Sequence, residues 1–145
     1  MTRTLKTFSM ISRGKSLASR CIAALASLVA LSCQMPTDPP LPGDAIRFTP
    51  PPVYAQWWAL TEECSGINRS LDAVQFYLIP NASTIPDNTY GEVAAYWSPA
   101  SNRIVLADFY EMQGQLVRHE MLHALLRASG HPPAYFQGRC AGVVQ

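Results

Sequence analysis

Apolar positions follow two different periods along this chain. From Val53 to Glu63 (VYAQWWALTEE) they recur at helical spacing, with Val53, Trp57 and Leu60 at i, i+4 and i+7, so a helix with these three on one face is expected. Trp57 and Trp58 are read as core aromatics rather than a binding platform. From Asp72 to Ile79 (DAVQFYLI) β-branched and aromatic residues gather and stop at Pro80, the signature of a strand. Residues 81–90, rich in Asn, Ser, Pro and Asp, read as a loop. Two further apolar runs, 92–97 and 103–107, flank Ser98-Pro99-Ala100-Ser101-Asn102, which has the turn chemistry of a hairpin. Asp108-Phe109-Tyr110-Glu111 then has the spacing of a capping box. The next helix therefore starts near Phe109, or else a short turn over 108–112 precedes a helix from Gln113. If Gly114 lies inside it, that glycine costs about 1 kcal/mol relative to Ala. Between Gln115 and Ser129 there is no proline or glycine. Ser129-Gly130-His131-Pro132-Pro133 then offers a glycine cap followed by prolines that end a helix. The order helix, strands, hairpin, helix, with no internal repeat, predicts a small α+β domain with a mostly antiparallel sheet.

The first 32 residues read differently. Arg3, Lys6, Arg13, Lys15 and Arg20 precede an uncharged run from Cys21 to Ser32 (CIAALASLVALS), which fits a signal peptide over 1–32. The run is short for a membrane span. The long basic stretch leaves Met10 as an alternative start. Ala30-Leu31-Ser32-Cys33 resembles the lipobox of bacterial lipoproteins, with Ala30 where leucine is usual. Cys33 is thus the candidate lipidation site, and ordinary cleavage after Ser32 is the alternative. The proline-rich stretch that follows, 33–52, reads as a tether, which leaves 53–145 as one domain. Loss of the leader removes both lysines and three arginines. Six arginines then face ten acids, a net charge of −4 in place of +1. No basic run survives, so nucleic acid is not an expected partner. The expected protein is a monomeric cell-envelope lipoprotein touching the membrane only through its lipid, or else a secreted or periplasmic protein. With Cys21 and Cys33 assigned elsewhere, Cys64 and Cys140 form the expected disulfide of an exported domain, and a metal-ligating Cys140 is the other reading. Two glycosylation sequons, at Asn68 and Asn81, are expected to be silent behind a bacterial-type signal.

The chemistry lies in His119-Glu120-Met121-Leu122-His123. Four residues apart on a helix, His119 and His123 stack on one face and can turn their imidazoles to one Zn²⁺ ion. Glu120 falls beside that ion, where a carboxylate can serve as catalytic base. A catalytic zinc site takes a third protein ligand and keeps a position open for water. No Asp or Glu follows Glu120. His131, beyond Gly130 where the chain reverses, is the candidate third ligand, the alternative being a surface histidine in a turn. Arg118 and Arg127 fall on other faces of the helix and are expected in surface ion pairs.

With an HExxH helix after a hairpin, the chain resembles the zincin metallopeptidases. The motif is specific over 103–131 and only architectural over 53–108. In the long metzincin motif, glycine and a third histidine stand where this chain has Leu126 and Ser129, so it departs from that branch. The resemblance implies a peptidase acting on peptide or protein substrates, with Glu120 as general base. It also implies that Arg103–Ala107 is the edge strand beside the cleft, pairing with an extended peptide. Tyr135 is the candidate for stabilising the oxyanion. The rival reading is a zinc-binding but non-catalytic surface lipoprotein acting as a binding module, and a metal-free envelope scaffold is a third.

Overall fold

The structure, a computed structural model, describes residues 38–87 and 90–145. The expected leader and Cys33 lie outside these residues. The described residues belong to one compact unit. No helix among the described residues is long and apolar enough to cross a membrane.

Four strands form the main sheet: β1 (Ile46–Arg47), β2 (Gln75–Ile79), β5 (Ala95–Ser98) and β6 (Arg103–Ala107), in the spatial order β1-β2-β6-β5. The expected strand over 72–79 begins later, because Leu71–Ala73 form a helical turn first. The outer pairs are antiparallel, and the central pair β2–β6 is parallel from Gln75↔Arg103 to Ile79↔Ala107. This corrects the expected edge strand: β6 is central, and β5 is the free edge. Composition explains it. Ile104, Val105, Leu106 and Ala107 are all fully buried, and a strand apolar at every position must be covered on both faces.

Side chains alternate along these strands with period two. Phe76, Leu78, Ala95, Trp97, Ile104 and Leu106 point to one face, where they meet the helices. Tyr77, Ile79, Tyr96, Val105 and Ala107 point to the other. On that second face sits a small antiparallel ribbon, β3 (Ile85–Asp87) with β4 (Gly91–Val93). The expected 81–90 loop therefore contains a strand, and the 92–97 run divides between two sheets at Ala94. Pro86 is tolerated because β3 is an edge strand.

The helices α1 (Val53–Ser65) and α2 (Gly114–Leu126) pack on the first face. The buried stripe of α1 is Tyr54, Trp58, Thr61 and Ser65, one position round from Val53, Trp57 and Leu60. The polar tips of this stripe are satisfied inside: Tyr54 Oη donates to the Glu111 carbonyl at 2.7 Å and Trp58 Nε1 to the Arg69 carbonyl at 2.9 Å. Leu60 stays exposed. Trp57 is half-buried between Tyr54 and the Arg118 guanidinium. A Cβ on Gly114 would stand 3.0 Å from the Trp57 ring. Glycine at the first position of α2 thus permits close approach of the two helices, and it carries no mid-helix penalty there.

Part of the expected tether is bound to the domain. Asp38 accepts from Ser98 Oγ and from the Ala100 N–H, and pairs with Arg103 at 3.7 Å. Arg103 also donates to the Pro39 carbonyl. Leu41 packs beneath the ribbon, and Phe48 N–H donates to Phe76 O as the chain joins β2. The tail folds back as a wide helical turn, Ala134–Arg139, and a short helix α3 (Ala141–Val144). The Cys64–Cys140 disulfide ties it to the end of α1, with Cα atoms 5.1 Å apart.

Candidate metal centre

The approach to α2 takes the second of the two expected forms. A helical turn at Asp108–Tyr110 precedes a helix beginning at Gly114. Asp108 does not cap that helix; its carboxylate accepts from the Asn81 N–H at 2.6 Å. The far end departs from expectation. The helix stops at Leu126, with Arg127 in the left-handed conformation (φ 55°, ψ 40°), three residues before Gly130. That early reversal turns the Ala128 carbonyl back to His123, whose Nδ1–H donates to it at 2.7 Å.

The reversed chain then brings His131 to the helix. His119 Nε2 and His131 Nε2 are 2.8 Å apart, and the nitrogens of His119, His123 and His131 all lie within 4.8 Å of one another, a group able to hold a metal ion. Val144 adds a main-chain hydrogen-bond contribution at His119 that favours its protonated form. His123 therefore has one nitrogen occupied by a carbonyl and the other free to turn to the shared point, the arrangement that fixes the tautomer of a metal-ligating imidazole. Phe136 packs against all three rings at centroid distances of 4.7–4.9 Å. Burial lowers the pKa of His119 and, more strongly, that of His123, which falls to about 4, against the opposing pull of the carbonyls. Both rings are thus held neutral, the form that ligates. Cys140 is in the disulfide and so is no ligand.

Glu120 stands one residue round α2 and is 6% exposed. Burial pushes its carboxyl up to about 8, opposed by a hydrogen bond from the Trp97 main-chain N–H. The pleat explains this bond. Ala107 N–H donates to Ala94 O, so alternate residues of β5 turn their main-chain groups to β6, while Ala95 and Trp97 turn theirs outward. The indole of Trp97 lies parallel to the His123 ring and donates from Nε1 to Asn102 Oδ1 at 3.0 Å.

His119, Glu120, His123 and His131 line a cleft of about 1010 Å³. Its other walls are β5, the ribbon with Pro86, Asp87 and Tyr90, and the Asp38–Pro42 segment. Tyr135 does not line it. Its ring is half-buried in the cluster of Leu122, Phe136, Cys140 and Val144. Arg118 makes no surface ion pair; its Nε donates to the Val143 carbonyl at 2.6 Å.

Sequence reasoning found the three histidines and Glu120 but missed Trp97, Phe136 and the carbonyl of Ala128. Phe136 had a weak signal in its closeness to His131. Trp97 acts toward Glu120 through its backbone, and the carbonyl is a backbone group that every residue carries, so no residue type marks it. No family model matches this chain, and no curated protein or solved structure resembles it closely enough to supply a relative.

Proposed function

We propose that this chain is a zinc-dependent peptidase of zincin type in which His119, His123 and His131 hold the ion and Glu120 is the general base. The observation that carries the reading is the convergence of three imidazole nitrogens beside a buried carboxyl at the edge of a strand-walled cleft. The donor set fits zinc: three neutral imidazoles, with no fourth protein ligand among the described residues gathered there. Zinc bound at such a site supplies Lewis acidity, polarising a carbonyl and lowering the pKa of water towards ~7.

The rest of the chemistry falls to this chain's own residues. The outward Ala95 N–H and C=O and the Trp97 C=O of β5 offer main-chain partners to an extended peptide, which fixes the scissile carbonyl relative to the histidines. The Glu120 carboxylate accepts a proton from the attacking water and returns it to the leaving amine. The Trp97 N–H orients that carboxylate.

The test is a zinc titration of the purified protein followed by turnover of a diverse peptide library. About one zinc per chain is expected, lost in His119→Ala/His123→Ala. Glu120→Gln should retain zinc and fold while losing about 10²–10⁴-fold in turnover. Zinc uptake with no cleavage of any peptide makes the protein a binding module; no zinc uptake removes both readings.

A further inference from the structure

Four aromatic side chains at the metal centre form one closed group. The His119, His123 and His131 ring centroids lie 4.8–5.1 Å from one another, and the Phe136 centroid lies 4.7–4.9 Å from each of them. Phe136 is the one member with no donor atom, and it is 2% exposed. The three histidines line the cleft and Phe136 does not. Its ring therefore lies behind the imidazoles, on the side away from the cleft, packed with Leu122, Cys140 and Val144.

The three histidines differ in what else holds them. His119 and His123 project from α2, and the Ala128 carbonyl fixes the His123 ring. His131 lies beyond that helix, exposed on the reversed chain. Its ring meets His119 Nε2 and packs on Phe136, with no counterpart to the Ala128 carbonyl among the described residues. The backbone ties it to Phe136 instead. Pro132 and Pro133 follow His131, each with its φ fixed by the ring. The Pro132 carbonyl then accepts from the Tyr135 and Phe136 N–H groups, at 3.0 and 3.1 Å. His131 and Phe136 thus belong to one stiff turn, and Gln145 Nε2 donates to the Phe136 carbonyl at 2.6 Å on its far side.

Resting on the zinc reading above, we propose that Phe136 is a positioning residue for the metal centre. Its ring is a flat floor that sets where the His131 imidazole stands and how far apart the three imidazoles lie. It also keeps water from the inner side of the site, which leaves the cleft as the one open approach. An aliphatic side chain fills much of the same space but offers no plane for three rings to rest on. Without that plane the His131 ring turns to solvent, and the site keeps two donors.

The experiment uses the full chain with zinc alone as the probe, its affinity read by competition against a chelator. Phe136→Leu removes the plane and keeps an apolar side chain. Phe136→Met, longer and also without a ring, takes its place if circular dichroism shows the leucine variant unfolded. Val144→Ala is the control, because it removes apolar volume from the same buried cluster and leaves all four rings in place. Urea unfolding in chelator measures the loss of stability in each. The Phe136 variant should bind zinc about 10–100-fold more weakly, while Val144→Ala loses stability and keeps its zinc affinity. In the metal-free Phe136 variant, nuclear Overhauser contacts between the His119 and His131 rings should vanish while those between His119 and His123 remain. Unchanged zinc affinity in that variant, or a His119–His131 contact that survives it, overturns the proposal and leaves the zinc reading standing. An equal loss of affinity in Val144→Ala does the same, since burial and not the ring would then set the site. An unaltered chain that takes up no zinc overturns the zinc reading and this one with it.

Discussion

Burial moves the site's titratable groups in opposite electrical senses. Glu120, pushed up to about 8, is held neutral below that pH, and His123, pushed down to about 4, is neutral above it. The consequences for stability have opposite signs. A carboxyl raised from 4.5 to about 8 stabilises the fold fully below 4.5 and loses that contribution as pH climbs through 8. An imidazole lowered from 6.5 imposes no cost above 6.5 and withdraws stability as pH falls through that value towards about 4. His119 shifts in the same direction as His123, so both imidazoles oppose Glu120 on the acid side. The metal-free chain should therefore lose stability as pH rises above 6.5, the unshifted imidazole value, where the imidazoles no longer oppose Glu120. Its alkaline limb, about 2 kcal/mol between pH 6.5 and 8, should belong to Glu120. Urea unfolding in chelator across the pH range checks this. Glu120→Gln should flatten the alkaline limb and steepen the acid one, and an alkaline limb that survives the substitution would assign it to another group. Zinc should also flatten the limb in the unaltered chain, because a dication beside Glu120 favours the carboxylate.

The decisive element is the end of α2. Its cap is Arg127, an exposed residue in a left-handed conformation that a side chain adopts at a cost of about 1–2 kcal/mol. The position is worth that strain because the reversal orients His123 through Ala128 and returns His131. Arg127→Gly relieves the strain and keeps the turn, so it should bind zinc as before and gain up to about 1 kcal/mol in stability, after glycine's larger entropy loss. Arg127→Val, β-branched and poorly suited to this region, should weaken zinc binding. Calorimetry with a zinc titration of both variants checks the pair, and equal zinc affinity in the two would show that the cap does not set the site. The sequence points to Gly130 as the cap because glycine adopts this conformation most readily. The helix stops sooner because Ala128 and His131 are engaged with residues of its own last turns.

At the scale of the whole molecule, two segments remote from the motif close the structure. The disulfide spans a sequence separation of 76, which on a chain-entropy basis corresponds to about 4 kcal/mol. Cys64→Ala/Cys140→Ala should lower the unfolding free energy by roughly 2–5 kcal/mol in denaturant melts. The segment after Asp38 contributes on the other side of the sheet and walls the cleft. The Ala45 N–H, bonded to Pro42 O, and the Phe48 N–H, bonded to Phe76 O, should be protected in amide exchange together with β2. Exchange at the rate of a free tether would show this segment undocked.

Local chemistry was legible in the residues themselves: the i, i+4 histidines with Glu120, the pairing of Cys64 with Cys140, and the β5–β6 turn. Each depends on the identity and spacing of side chains, or on cysteine parity. His131 was legible by elimination, since no carboxylate follows Glu120. The buried face of α1 was not legible, because the row Val53, Trp57 and Leu60 and the adjoining row Tyr54, Trp58 and Thr61 have the same helical spacing, and it is Tyr54 and Trp58 whose polar tips reach internal carbonyls. The central position of β6 was not legible either, since a hairpin fixes which strand is the neighbour but not which edge is left free. Nor were the Trp97 N–H and the Ala128 carbonyl. Main-chain groups are the same in every residue, and only the packing of sheet and helix decides which of them meet Glu120 and His123.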